Sequence, residues 1–292
     1  MTASTQFKYL FIHVMKTGGT SFADVIDANF PLEHRYPGAV MQGETNPLKK
    51  MEAYLFVPGI VAEVNAHPDR YRIVAGHVPY ATRELLEQRY VTMTVLREPV
   101  SRTVSYLKHC RRYHTEHMDK PLEAIYEDDW FHASFIANYQ TKLFAMTARE
   151  SLAEIRYGDY EPRLPPRSEL GDSEEVSPEL KSLTARGNGR FCMECFAAST
   201  GVIELDDQRF TRAKENLATT DVVGVTEDYG NFLQTLVERY DWQVDSMSHR
   251  HAGGDEDISD ELRRRIVSDN EMDTELYHYA RSLAHRAAPT YN

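Results

Sequence analysis

Apolar residues in this chain fall into two kinds of pattern. Short runs rich in β-branched and aromatic residues occur at 8–14, 72–76, 91–96 and 221–226, the length and composition of strands buried in a sheet. Between them, apolar positions return every three or four residues over about 20–29, 82–89, 99–112, 131–146, 206–218 and 228–240, the period of helices with one buried face. Alternation of this kind predicts an α/β architecture with a mostly parallel sheet covered by helices on both sides. From about 150 to 190 the composition shifts to RLPPR and then SELGDSEEVSPEL, rich in proline, serine and acid. That segment reads as a surface excursion, either a lid or a disordered stretch. The acidic stretch at 255–261 would open the last helix, where carboxylates favour the helix dipole. No internal repeat is evident.

Two of the strand-to-helix junctions carry chemistry. The first strand empties into Lys16-Thr17-Gly18-Gly19-Thr20-Ser21 and a helical pattern follows. Glycines let the backbone approach an anion, N–H groups converge where the helix begins, and the lysine and hydroxyls add a cation and donors. The lysine precedes the glycines, whereas a Walker A loop has it after them. In the second junction, VTMTVLREPVSRTVSYL at 91–107, the strand ends at Arg97 and Pro99 suits the first helical turn. Val100, Val104 and Leu107 form a buried stripe, while Ser101 and Ser105 share another face. Arg97 and Ser105 can both reach the crevice at the carboxyl ends of the strands, where open α/β sheets bind ligands.

A lysine-first glycine loop followed by LREPVSRTVSY resembles the sulfotransferases that use 3′-phosphoadenosine 5′-phosphosulfate (PAPS), in the branch related to heparan sulfate 2-O-sulfotransferase and its bacterial relatives. GHVPY around His77, ANYQT around Gln140, and DVVGVTEDY with a long C-terminal helix near DTELYHYA extend the similarity over most of the chain. The resemblance implies one sulfotransferase domain over 1–292 with a P-loop-like three-layer fold. It assigns Lys16, Thr17, Gly18, Gly19, Thr20 and Ser21 to the 5′-phosphosulfate and Arg97 and Ser105 to the 3′-phosphate. His77 becomes the general base, on a histidine whose ordinary pKa of about 6.5 suits that task. The implied reaction moves a sulfuryl group from PAPS to the hydroxyl of a saccharide, glycolipid or small metabolite by in-line displacement. Fixed donors handle the charge there, so no metal is expected. HRHAGGDE at 249–256 lies where relatives close a basic loop over the nucleotide, which makes His249 and Arg250 further candidate contacts, in a loop richer in histidine and acid than the family's.

Charge narrows the acceptor. The 33 basic and 45 acidic residues give 33 − 45 = −12, which counts against nucleic acid or a long polyanion as partner and favours a small neutral or cationic acceptor, with Lys108, Arg111 and Arg112 as a local basic strip. No run approaches the roughly 20 apolar residues of a membrane helix, and MTASTQFKY has no signal-peptide pattern. Three cysteines, Cys110, Cys192 and Cys195, do not make a disulfide framework. A cytoplasmic setting is expected.

Other readings remain open at this level. Glu98 is an alternative base. Lys16 acts on charge developing at the leaving phosphate or is a solvated lysine. Asn138 and Gln140 touch the acceptor, order the site, or are satisfied helix polars. Cys192 and Cys195 form a CxxC, and His109, Cys110, His114 and His117 a looser cluster, without the two spaced pairs that structural zinc wants. Tyr106 and Tyr113 would wall an acceptor pocket or pack in the core. The competing functions are a P-loop kinase or nucleotide hydrolase, and a silent PAPS- or PAP-binding protein.

Overall fold

A computed structural model describes residues 7–45, 53–113, 117–152, 203–244 and 258–287. Five parallel strands form one sheet: β1 (Tyr9–Ile12), β2 (Arg35–Tyr36), β3 (Ile73–Gly76), β4 (Val91–Leu96) and β5 (Val222–Val225), in the spatial order β2-β3-β1-β4-β5. The main helices among the described residues are α1 (Gly19–Asn29), α2 (Val57–Ala66), α3 (Pro99–Tyr113), α4 (Tyr139–Ala145), α5 (Asp207–Ala218), α6 (Tyr229–Tyr240), α7 (Asp260–Asp269) and α8 (Glu271–Ala287).

The period-two alternation of β1 explains the layers. Leu10 and Ile12 pack into one core with α2, α3, α4, α5, α7 and α8, while Tyr9 and Phe11 pack into a second with α1, α6 and Trp242. Both faces of the central strand are buried, as a parallel sheet between helices requires. The predicted three-layer α/β architecture is what the chain forms.

Strand order places the chemistry. After β1 the chain builds β2 and β3 on one side, then crosses to build β4 and β5 on the other. Ile12 lies level with Gly76 of β3 and Thr94 of β4. The loops leaving β3, β1 and β4 therefore stand side by side at the topological switch point, where such sheets open a crevice.

Several boundaries differ from the sequence expectation. The helix expected at 82–89 is a single turn, Thr82–Leu85. The one expected at 131–146 breaks into a π-turn at His132–Ile136, a left-handed Asn138 (φ 49°) and α4. Buried polar contacts override the continuous apolar period there: Asn138 donates its N–H to Asn270 Oδ1 and accepts from the N–H of Asp273, at 3.0 Å each. The C-terminal helix is two helices meeting at fully buried Asn270. β2 and α2 were not anticipated. Most of the expected excursion at 150–190 lies outside the described residues.

Gly224 of β5 has the Phe232 side chain of α6 packed against it, so that an added Cβ would sit 2.6 Å from Phe232 Cβ. Gly224→Ala is expected to destabilise the protein by about 1–3 kcal/mol, as overpacking does; a urea midpoint equal to wild type would show that α6 yields freely.

Candidate functional site

The loop after β1 turns on two left-handed residues, Lys16 (φ 70°) and Gly18 (φ 95°). At Gly18 this conformation is inexpensive; at Lys16 it stores strain of the sort found at ligand loops. The turn launches α1 at Gly19, whose first turn has neither an acidic residue nor a side-chain cap. Its early N–H groups and the positive end of its dipole thus remain available to an anion. Thr17, which the resemblance places in the 5′-phosphosulfate loop, turns its hydroxyl inward. It is fully buried, and its hydroxyl donates to the Val14 carbonyl at 2.8 Å, holding the turn from inside. Thr20 is exposed and Ser21 buried on the first turn of α1.

Arg97, at the end of β4, reaches across to this loop: its Nη1 donates to the Lys16 carbonyl at 3.2 Å. Its backbone is gripped from the other side by fully buried Gln140, whose Oε1 accepts from the Arg97 N–H at 3.0 Å and whose Nε2 donates to the Arg97 carbonyl at 2.9 Å. Gln140 is therefore an ordering residue rather than a surface polar. Glu98 is accounted for as well. Its two carboxylate oxygens accept the Val100 and Ser101 N–H groups at 2.9 and 2.7 Å, capping α3, which leaves it poorly placed to serve as a base. Lys16 is half-buried, and desolvation, then the Arg97 and Arg112 cations, push its ammonium pKa down, while Cys110 acts in the opposite sense.

His77 follows β3 directly. Its Nδ1 lies 2.8 Å from the His13 carbonyl; a carbonyl only accepts, so Nδ1 carries the proton and Nε2 keeps its lone pair. Burial lowers the His77 pKa to about 4, with Lys16 contributing in the same direction and the carbonyl bond opposing it. The ring is neutral at pH 7. His13, which in sequence is the tail of an apolar strand, packs against His77 with ring centroids 4.2 Å apart and stacks on Phe11 at 5.3 Å. Burial, His77 and Lys16 hold its pKa well below the ordinary value.

Lys16, Arg97 and His77 are thus brought to one crevice. Ser101 and Ser105 are partly exposed along α3 beyond Arg97, though no contact ties Ser105 to the other three. Tyr106 is core, stacked on Phe131 at 5.2 Å. His109 stacks on Tyr106 and buried His117 meets Phe131 edge-on. Cys192, Cys195, His114, His249 and Arg250 lie outside the described residues, as does the Tyr113 side chain. Among the described residues no group of three or more His, Cys, Asp or Glu side chains could hold a metal ion, and no helix is long and apolar enough to cross a membrane. Compared with protein-family models and with curated proteins, the chain matches none.

Both imidazoles titrate lower in the folded chain than unfolded, where about 6.5 is expected. The unfolded chain then binds protons first, so the histidine contribution to stability is intact above pH 6.5 and is lost as pH falls toward 4. The fall in stability from pH 7 to pH 5 is expected to be smaller in His77→Phe than in wild type, measured by urea unfolding at each pH; an equal fall would place the sensitivity elsewhere.

Proposed function

We propose that this protein is a PAPS-dependent sulfotransferase, acting on the hydroxyl of a saccharide, glycolipid or small metabolite in a cytoplasmic setting. One observation carries the reading: a lysine-first glycine loop, an arginine bonded to that loop, and a neutral histidine with a fixed tautomer meet at adjacent strand ends. The residues present fit the nucleotide. Uncapped N–H groups of α1 and the Lys16 ammonium suit the 5′-phosphosulfate, and the Arg97 guanidinium, with Ser105 further along α3, suits the 3′-phosphate.

In this reading the nucleotide supplies the sulfuryl group and departs as PAP. His77 Nε2 takes the proton of the acceptor hydroxyl as its oxygen bonds to sulfur and the bond from sulfur to the 5′-phosphate oxygen breaks. Negative charge gathering on that phosphate faces Lys16 and the α1 N–H groups, which stabilise it more in the transition state than before reaction. Gln140 holds the backbone of Arg97 and thereby the distance between the two anion sites. The formal charge of −12 supports a neutral or cationic acceptor over a polyanion.

Calorimetry should show clear preference for PAP over AMP, and Arg97→Ala should weaken PAP binding by about 2–5 kcal/mol, the scale for deleting one partner of a desolvated charge pair. Equal affinity for PAP and AMP would remove the 3′-phosphate assignment.

His77→Ala should leave PAP affinity near wild type and lower turnover by about 10²–10⁴, the loss expected for a general base. Product formation is followed as PAP release by mass spectrometry over a panel of neutral sugars, phenols, lipids and cationic metabolites, with excess EDTA present. Activity that vanishes in EDTA and returns with Mg²⁺ would favour phosphoryl transfer instead.

A further inference from the structure

His13 has no role in the reading above, yet its imidazole sits between the two groups that reading relies on. It packs against His77, with centroids 4.2 Å apart, and stacks on Phe11 at 5.3 Å. Its Nε2 edge covers Gly19: a Cβ built on Gly19 would collide with Nε2, Cε1 and Cδ2 of His13. Gly19 is the first residue of α1, so the imidazole fills the space a side chain would take at the mouth of the anion cradle. The residue is intermediate in exposure, and no described residue makes a hydrogen bond to its ring nitrogens. The charged or titratable groups acting on it are Lys16 and His77, with no carboxylate among them. A polar group with an open donor position, against helix N–H groups and beside a lysine, is suited to an anion.

We propose that His13 is a second catalytic residue, whose Nε2–H donates to a sulfuryl oxygen of the nucleotide while His77 takes the acceptor proton. This rests on the sulfotransferase reading. In the transfer, with water as the simplest acceptor, the water oxygen bonds to sulfur, its proton goes to His77 Nε2, and the bond to the 5′-phosphate oxygen breaks. His13 keeps its own proton throughout and stabilises charge on the sulfuryl oxygens, as a preorganised donor does. The close approach of the ring also explains why residue 19 is glycine: any side chain there would displace His13.

The test uses the full-length chain and two kinds of readout. First, imidazole signals of wild-type protein labelled with ¹⁵N are followed by NMR during titration with inorganic sulfate, alone and on the PAP complex. The expected result is a saturable shift at His13 Nε2 that His13→Phe abolishes. Second, release of PAP from PAPS by water is timed for wild type, His13→Phe, which keeps a ring against Phe11 and His77 without a donor, and His13→Gln, which restores one. His13→Phe should slow release by about 10²–10³, the cost of one oxyanion donor, with PAP affinity within about threefold of wild type, and His13→Gln should recover part of the loss. A His13 signal that ignores sulfate, or equal rates in His13→Phe and wild type, overturns the proposal while PAP binding keeps the broader reading. If PAP does not bind but sulfate still shifts His13, the nucleotide assignment fails and the anion contact stands. If neither ligand registers, both fail.

Discussion

The position of Arg97 depends on a carboxylate in the last helix. Asp273 of α8 is fully buried, and its oxygens accept the backbone N–H groups of Gln140 at 3.1 Å and Thr141 at 2.7 Å, so it fixes the start of α4. Gln140 in turn grips both backbone groups of Arg97. Desolvation raises the pKa of Asp273, and the field of buried Arg102 works against that rise. Arg102 itself lies over the Tyr139 ring at 4.8 Å and donates to the Phe135 carbonyl at 2.5 Å. A buried charge with partial compensation is costly, and removing one partner leaves the other exposed to the same cost. The network therefore has few alternative arrangements, and the strand end it holds inherits that rigidity.

Rigidity matters because the crevice gathers cationic and titratable nitrogen groups. Arg97 and Arg112 act on Lys16, and burial first, with Lys16 adding to it, keeps the imidazoles of His13 and His77 neutral. Without an anion, the cheapest response of such a cluster is to give up protons, which is the direction in which Lys16, His13 and His77 are all displaced. An anion entering the crevice would oppose that displacement. Under the proposed function, His77 would then become a better base when the nucleotide is bound.

The sequence made much of this legible, and what it hid has identifiable causes. β1 and β4 were visible because strands buried on both faces read as unbroken apolar runs, and the glycine loop because its spacing has one natural use. The length-two strand β2 carries no periodic signal, and α2, written VPGIVAEVNA, holds a proline and a glycine that mask its period. The breaks at Asn138 and Asn270 arise from each other's hydrogen bonds across 132 positions of chain, which no local pattern contains. His13 was hidden by its neighbours: in FIHVM it reads as part of a strand, and the ring contact with His77 depends on the parallel pairing of β1 with β3.

Pairing also answers how a chain of net charge −12 keeps a positive crevice. The acids nearest the strand ends are turned to structural use. Glu98 caps α3 with both carboxylate oxygens. Glu227, after β5, accepts the Glu98 N–H at 3.3 Å and the Tyr277 hydroxyl at 2.9 Å. A carboxylate that faces helix N–H groups has its field partly cancelled by the dipole it caps, so these acids subtract less from the crevice potential than their count implies. Local geometry sets the potential inside the crevice while net charge acts on a partner approaching from outside, and the arrangement that holds Glu98 on the α3 amides leaves Arg97 bonded to the Lys16 carbonyl.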